Sequence, residues 1–316
     1  MDFVGLGVLL VLALVFAFLA LRSWRARRLW VKLLAGIPTT LLAVLCVAGM
    51  GVAVYGYSKV NRTYTNSAAD VKVAGTAEQI ARGEKFAPIC ADCHSSNRQL
   101  PLTGQNFGAD GPPIGTLWAP NLTPAHFKNW SDGEIIRAIR EGMGKDGRSL
   151  LIMPSEVFHN LSDADVQAIV AYLRAQPAIE PDTPPKQFNV IGAIMAAALL
   201  PGDIFTHQPP ITAPVIAPPA GPTAEYGRYL STTVGCTSCH GAQFEGGQSG
   251  EEGAPPAPSL VAFVKQHTEA DFIKTIRTGV TPEGRTLSQY MPWGIYRNFS
   301  DDDLRALYAY ITVLGK

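Results

Sequence analysis

The stretch GCTSCHGAQF, residues 235–244, decides how this chain is interpreted, because ICADCHSSNR, residues 89–98, repeats its pattern. In both stretches two cysteines are separated by two residues, and a histidine directly follows the second cysteine. Four of the five cysteines in the 316 residues lie in these two blocks. This distribution does not indicate a disulfide framework. It predicts a site that uses two thiols and one imidazole, and that occurs twice.

The residues around the two blocks are also duplicated, and the order of the matching segments is the same in both copies. A repeat of about a hundred residues has the usual size of a small domain. The matching segments, first copy against second, are 76–94 with 223–240, 131–143 with 268–280, 144–154 with 281–292, and 162–173 with 300–311.

Helix signals predict that each copy is a small all-α domain. Thr76 with Gln79 and Ser131 with Glu134 have the spacing of capping boxes, and acidic residues follow Ser162 and Ser300. A unit of this size with long loops buries little apolar surface, so a large covalent cofactor would supply part of its core. Apolar residues recur at helical spacing in the last segment of each copy: Val166, Ile169, Val170, Leu173, and Leu304, Leu307, Tyr308, Ile311.

The CxxCH pattern is a site for covalent attachment of c-type haem. Two thiols three residues apart on a helical turn reach the two vinyl groups of a porphyrin, and the adjacent histidine is placed to bind the iron. A zinc site would need four convergent ligands, and a redox dithiol would need a strand and helix context. The pattern therefore predicts two covalently bound c-type haems, held by Cys90, Cys93 and His94, and by Cys236, Cys239 and His240.

A second iron ligand must come from elsewhere in each unit. Met291, in YMPW, is the only methionine after His240, and its counterpart in the first unit is Met153, in IMPS. A thioether is a soft ligand that favours ferrous iron and raises the potential relative to a second histidine. Three other side chains could compete for the iron or have ordinary packing roles: Met143, His159 and His267.

Two further matched segments are predicted to line the cofactor. APNL, residues 119–122, corresponds to APSL, residues 257–260, and both have the character of pocket loops. Arg148 and Arg285 occupy matching positions in GRS and GRT. Each arginine could pair with a haem propionate or lie solvated in its loop.

Residues 1–70 differ from the remainder and predict a membrane anchor with two transmembrane helices. Residues 4–21 and 33–57 are apolar and long enough to cross a bilayer. The loop between them carries four arginines and a lysine, so the positive-inside rule predicts a cytoplasmic loop with both ends of the hairpin outside. The fifth cysteine, Cys46, lies within the second apolar stretch and is interpreted as a small apolar residue.

Residues 178–222 predict a linker between the two units. Eleven of the 24 prolines lie between residues 177 and 222, which favours an extended, semi-rigid spacer. Within it, residues 188–202 form an apolar segment too short to span a bilayer. This segment could pack on a domain, lie at the membrane surface or bind a partner.

Residues 71–177 and 223–316 each resemble a class I cytochrome c domain. The resemblance rests on the helix that ends in CxxCH, the later Met-Pro loop, and a final helix with an aromatic at Tyr172 or Tyr310. It implies His94 with Met153, and His240 with Met291, as the axial pairs.

Longer segments are similar to cytochrome subunits of membrane-bound alcohol and aldehyde dehydrogenases. These are PNLTPAHFKNWSDGEIIRAIREGMGKDGRSL, residues 120–150, and FNVIGAIMAAALLPG, residues 188–202. The order of anchor and two domains also resembles a dihaem subunit of haem-copper oxidases.

Together these features predict an electron-transfer protein rather than an enzyme. We expect a chain in the cytoplasmic membrane that relays single electrons, at the outer face, from a respiratory, photosynthetic or dehydrogenase donor to a downstream acceptor. Its partners would be redox proteins and membrane lipid. Balanced charges, 26 basic against 26 acidic residues, do not indicate nucleic acid. The alternatives are a dihaem subunit of a terminal oxidase and a dihaem peroxidase, which needs one five-coordinate iron.

Overall fold

The computed structural model describes residues 1–109, 113–199, 207–248, 253–296 and 299–315. Within these ranges the chain is mostly helical, and it also has four strands of two residues each, which the sequence pattern did not predict. The predicted domains and linker extend over residues 110–112, 200–206, 249–252, 297–298 and 316, which lie outside the described residues.

The N-terminal region is a pair of antiparallel helices. The backbone N–H of Asp2 donates to the Tyr57 hydroxyl (3.1 Å), so the start of the first long helix lies beside the end of the second. At the other end of the pair, Trp24 Nε1 donates to Thr40 Oγ1 (3.0 Å). The elements are α1 (Phe3–Trp24), α2 (Leu29–Val31), a π-helical turn (Lys32–Gly36) and α3 (Ile37–Val60).

These helices present an apolar surface that the described residues leave almost entirely uncovered. α1 has 22 residues and the continuous stretch Leu29–Val60 has 32, and both are long and apolar enough to cross a membrane. Val4 is 79% exposed and Leu34 is 73% exposed. A continuous apolar surface of this size is unusual in water and is typical of a segment that contacts lipid or another protein.

The first repeat forms four helices and a short 3₁₀ turn. Both predicted capping boxes are present, at Thr76 with Gln79 and at Ser131 with Glu134, and each ties a helix start to its third residue. The apolar stripe predicted in the last helix is buried. The elements are α4 (Ala77–His94), the 3₁₀ turn (His126–Asn129), α5 (Asp132–Glu141), α6 (Ser155–Phe158) and α7 (Asp163–Ala175).

The second repeat has the same plan, with one break. Gly235 adopts a left-handed conformation (φ 81°) and ends the entering helix just before the CxxCH segment, whereas α4 continues through the corresponding position. The elements are α9 (Ala224–Thr233), α10 (Cys236–His240), α11 (Leu260–Gln266), α12 (Glu269–Thr278), α13 (Trp293–Tyr296) and α14 (Asp301–Leu314).

In both units the first and last helices cross at a glycine. A Cβ atom at Gly83 would lie 2.0 Å from the carbonyl oxygen of Ala168 in α7, and one at Gly227 would lie 1.9 Å from that of Ala306 in α14. The two helix backbones are therefore in direct contact at a point where only glycine fits. This crossing positions the start of each CxxCH segment relative to the C-terminal helix of its unit.

Two small antiparallel pairings connect loops of the first unit. β1 (Gln105–Asn106) pairs with β3 (Trp118–Ala119), which places the 119–122 loop beside the residues that follow His94. β2 (Gly115–Thr116) pairs with β4 (Gln187–Phe188), which belongs to the Pro-rich segment.

The Pro-rich segment is held on the first unit and on the N-terminal helices, the predicted anchor, over much of its described length. Asn121 Nδ2 donates to the carbonyl of Ile179 (2.8 Å), and the carbonyl of Val215 accepts the N–H of Asp163 (2.9 Å). The apolar part forms α8 (Val190–Leu199), which packs on α3; a Cβ at Gly56 would lie 1.8 Å from the Ala193 carbonyl oxygen. Of the three interpretations of this apolar segment, packing is the one that the contacts support.

The end of the anchor contacts the first unit close to its Met-Pro turn. The N–H of Tyr64 donates to the Gly147 carbonyl (2.9 Å), and Arg148 Nη1 donates to Asn61 Oδ1 (2.8 Å). Val60 is buried in one cluster with Leu151. The first unit is thus attached to the end of α3 by hydrogen bonds and by apolar packing.

The glycine crossing predicts that Gly227→Ala destabilises the haem-loaded protein. The added methyl would collide with the backbone of α14, and overpacking of this kind costs about 1–3 kcal/mol in the free energy of unfolding. Gly294→Ala in α13 is the matched control, because a Cβ there has no neighbour within 4 Å. Thermal unfolding in detergent, followed by circular dichroism, should show a lower midpoint for Gly227→Ala alone. Equal midpoints for the two variants would contradict the close crossing.

Candidate haem-binding sites

Each CxxCH histidine is buried and hydrogen-bonded in the same way. His94 is 8% exposed and its Nδ1 lies 2.7 Å from the Pro120 carbonyl oxygen; His240 is 6% exposed and its Nδ1 lies 2.9 Å from the Pro258 carbonyl oxygen. A carbonyl can only accept, so Nδ1 carries the proton in both rings. The lone pair of each neutral ring is then on Nε2, which is the tautomer that binds a metal through Nε2.

The electrostatic surroundings favour the same uncharged state. Burial lowers the pKa of His94 to about 4 and also lowers the pKa of His240, because the imidazolium form loses its hydration. The carbonyl acceptors oppose this effect only in part. Both histidines are therefore neutral near pH 7, as an iron ligand must be.

The two carbonyls belong to the matched loops that the sequence predicted as pocket loops. In the first loop, the fully buried Asn121 accepts the N–H of Thr123 (2.8 Å) and binds the Pro-rich segment through its amide. In the second loop, Ser259 accepts the N–H of Ala262 (3.1 Å) and so caps α11. The prolyl carbonyls are functional groups that sequence reasoning missed, and the repeated Ala-Pro-x-Leu motif was their only signal.

The backbone after each histidine also follows one pattern. The His94 carbonyl accepts the N–H of Gly104, and the His240 carbonyl accepts the N–H of Gly246, both at 2.8 Å. Both glycines have positive φ, 93° and 96°, which other residues rarely adopt. The bond closes a longer loop after His94 than after His240, but in both units it ends on a glycine that lies against the Pro120 or Pro258 loop.

The four cysteines of the two blocks are half-buried and are not paired in disulfides. Burial raises the pKa of Cys90 to about 12 and that of Cys236 to about 12, so both thiols are protonated near neutral pH. No group of three or more His, Cys, Asp or Glu side chains in the described ranges is placed to hold a metal ion, which is the arrangement that the zinc alternative would need. The donor set of each block, two thiols and one neutral imidazole, fits a covalently attached haem.

Met153 and Met291 lie in equivalent turns. The carbonyl of each methionine accepts the N–H of the residue two positions later, at 2.8 Å for Ser155 and 2.7 Å for Trp293. Both side chains are half-buried, and Met291 packs against the main core. The duplication seen in the sequence thus extends to the conformation of the Met-Pro turn.

The three alternative ligands have other contacts. Met143 is fully buried, the His159 Nδ1 lies 3.0 Å from the Arg140 carbonyl oxygen, and His267 Nε2 lies 3.1 Å from a carboxylate oxygen of Glu283. Met143 is thus a packing residue, His159 caps the end of α5, and His267 forms an ion-pair contact with an exposed carboxylate.

The two arginines considered for propionate binding differ from each other. Arg148 pairs with Asp146 (2.5 Å) and binds Asn61 of the anchor, whereas Arg285 lies exposed in its loop. Arg148 therefore has a structural role in joining the anchor to the first unit.

Comparison with protein families gives one match that recurs along the chain. A family model described as cytochrome c matches residues 80–177 and again residues 224–314. These two ranges contain both CxxCH segments and both Met-Pro turns.

Individual relatives are cytochrome subunits or larger proteins. A nicotinate dehydrogenase subunit from Pseudomonas putida is 32% identical over 65% of this chain and 18% of the relative. The cytochrome c subunit of alcohol dehydrogenase (quinone) of Gluconobacter oxydans is 27% identical over 73% of this chain and 54% of the relative. A diheme cytochrome c-type protein of Cereibacter sphaeroides is 38% identical over 29% of this chain and 32% of the relative. The chain thus spans at most about half the length of these relatives.

Proposed function

The chain belongs to the cytochrome c family and binds c-type haem covalently, and from this premise we propose that it is a membrane-anchored dihaem electron relay. Cys90, Cys93 and His94 would hold one haem and Cys236, Cys239 and His240 the other. Met153 and Met291 would complete the two axial pairs. Haem iron supplies a one-electron couple when bound, and the chain's own residues fix its ligands and its surroundings.

The observation that carries this proposal is the matched pair of neutral, buried imidazoles, each in a unit with its own Met-Pro turn. Two protein ligands on each iron leave no open position for a substrate, which favours electron transfer over catalysis. A dihaem peroxidase would need one iron without a second protein ligand. The equivalence of the Met153 and Met291 turns favours the relay.

We propose a dehydrogenase as the electron donor. The support is that relatives are named as part of a nicotinate dehydrogenase and as the cytochrome c subunit of a quinone-type alcohol dehydrogenase. The acceptor would be a downstream redox protein or complex at the same face of the membrane. A chain without its own substrate chemistry fits between the two.

The anchor would hold both units at the outer face of the cytoplasmic membrane. α1 and the Leu29–Val60 stretch would span the bilayer as a hairpin, because both are long, apolar and exposed. The arginine-rich turn between them would remain in the cytoplasm. Since Asp2 lies beside Tyr57, the N-terminus and the haem units would emerge on the same side.

The ligand assignment predicts that Met291→His lowers the potential of the second haem and changes the first little. Histidine keeps the iron six-coordinate but replaces a soft ligand by a more basic one, which stabilises ferric iron. Met291→Ala should instead give high-spin iron. Spectroelectrochemical titration of the purified protein measures both potentials. Met143→Leu is the control, because this buried methionine lies outside any Met-Pro turn. Both haem potentials should be the same in this variant as in the parent. An unchanged second potential in Met291→His would contradict the assignment.

The topology predicts which engineered cysteines react from outside the cell. In a Cys46→Ala background, Asp146→Cys and Glu283→Cys occupy matching exposed loops of the two units, and Arg27→Cys lies in the turn between the anchor helices. A membrane-impermeant maleimide should label the first two in intact cells and Arg27→Cys only after permeabilisation. Labelling of Arg27→Cys in intact cells, with protection of the other two, would reverse the proposed orientation.

A further inference from the structure

The two units meet at a pseudo-symmetric interface next to both CxxCH segments. The short helix after each Met-Pro turn packs against the entering helix of the other unit: α6 against α9, and α13 against α4. A Cβ at Gly235, directly before Cys236, would lie 3.9 Å from Val157 Cγ1 of the first unit. Buried residues of both units belong to one continuous core cluster. The two candidate haem sites therefore lie on either side of a shared apolar interface.

A buried ion pair crosses this interface. Lys85, in α4, donates from Nζ to Asp303 Oδ1 of α14 (2.5 Å) and to the Tyr226 hydroxyl of α9 (3.1 Å). The side chains of Lys85 and Asp303 are 20% and 7% exposed. The ammonium group also lies over the rings of Phe86, Tyr226 and Phe299, 5.3 to 5.5 Å from their centroids.

The acceptor carboxylate is held in place by its own helix. Asp303 Oδ2 accepts the N–H and the hydroxyl of Ser300, at 2.9 and 2.8 Å, in the capping box of α14. Its other oxygen, Oδ1, accepts the hydrogen bond from Lys85 Nζ. The carboxylate of Asp303 in one unit and the ammonium group of Lys85 in the other are thus both held in place.

Asp165, the counterpart of Asp303 in the first unit, makes the reciprocal contact. Its Oδ2 accepts hydrogen bonds from the hydroxyl of Ser162 and from the hydroxyl of Tyr229, which belongs to the second unit. Its Oδ1 accepts a hydrogen bond from Nε of Arg82 in its own unit (2.6 Å). Lys85 and Tyr229 each lie two residues after the crossing glycine of their helix, Gly83 in α4 and Gly227 in α9. Each unit therefore sends one side chain, from the same helical position, to the aspartate in the first turn of the last helix of the other unit.

We propose that Lys85 and Tyr229 are positioning residues that hold the two haem sites in one rigid body, so that electrons pass between the haems within a single chain. This inference rests on the proposed relay. The haems, when bound, would supply one-electron couples, and Lys85 and Tyr229 would contribute by fixing the separation of the two sites.

The test separates the interface from the covalent connection. A recognition sequence for a specific protease is inserted between Ala220 and Gly221, which lie outside the helices before α9, and the purified haem-loaded protein is cleaved in detergent. Fragments of the parent should stay associated in size-exclusion chromatography on dilution. Lys85→Met should raise the dissociation constant of the fragments by roughly ten- to a hundredfold, since it leaves Asp303 buried and unpaired. Separation of the parent fragments on cleavage would overturn the inference.

Matched variants identify the ion pair as the cause. Lys128→Met removes the exposed pair with Glu180, within the first unit and its linker, and should leave the fragments associated. The double variant Lys85→Met with Asp303→Asn should recover part of the lost affinity, because no buried charge is then unpaired. If Lys85→Met fails to take up haem, Tyr229→Phe tests the reciprocal contact and should likewise weaken the association, since it removes the hydroxyl that donates to Asp165 and accepts the N–H of Ser162. If Lys128→Met and Lys85→Met weakened the association of the fragments equally, the proposed role of the Lys85–Asp303 pair would be wrong.

A spectroscopic readout in the uncleaved chain tests the positioning itself. Two haems held close at a fixed angle should give a split circular dichroism signal in the Soret band. We expect this splitting in the parent and in Lys128→Met, and a reduced amplitude in Lys85→Met at the same haem content. An undiminished splitting in Lys85→Met would contradict the inference. Such a result would leave the relay standing, because the ligand of the second iron is tested separately through Met291.

Discussion

The burial of one imidazole in each unit is the constraint on which the remaining structure depends. A buried ring must satisfy its polar nitrogen, and here a prolyl carbonyl accepts Nδ1–H in both units. Bringing that carbonyl to the ring requires the turn after the histidine, with a glycine at positive φ, and a loop held by Asn121 in one unit and by Ser259 in the other. The tautomer and the free Nε2 are consequences of this hydrogen bond, and the neutral state is a consequence of burial, which lowers the pKa of both rings.

The duplication also explains how the two units differ without losing the site. The glycine crossing, the Met-Pro turn and the bond from the capping serine to the aspartate three residues later are the same in both copies. The outer surfaces have diverged: the loop at Gly147 receives the anchor, whereas the matching loop at Gly284 has space around it. In the entering helix, Lys85 and Tyr229 differ in chemistry but reach corresponding acceptors. Because the two copies of the repeat differ at such positions, they form a specific pair of domains.

Much of this arrangement could be predicted from the sequence, because it depends on local patterns. Capping residues such as Thr76 and Ser300 and the apolar stripes of the last helices indicated the helices, and CxxCH indicated the cofactor. The repeated Ala-Pro-x-Leu motif indicated the two pocket loops, but not that the prolyl carbonyls are the acceptors, since a backbone acceptor leaves no side-chain signal. The contact between Lys85 and Asp303 joins residues 218 positions apart, and α8 packs on α3 through Gly56 and Ala193; both depend on tertiary structure that no local pattern encodes.

The most direct test of the account is the ligation state of the iron in the purified, oxidised protein. Near-infrared absorption, quantified against haem content, should show the weak charge-transfer band of His/Met ligation with an intensity that corresponds to two haems per chain. The spectrum should contain no high-spin component, as expected when both irons have two protein ligands. A high-spin signal that accounts for one haem per chain, together with turnover of peroxide, would contradict the relay and would identify an open catalytic iron.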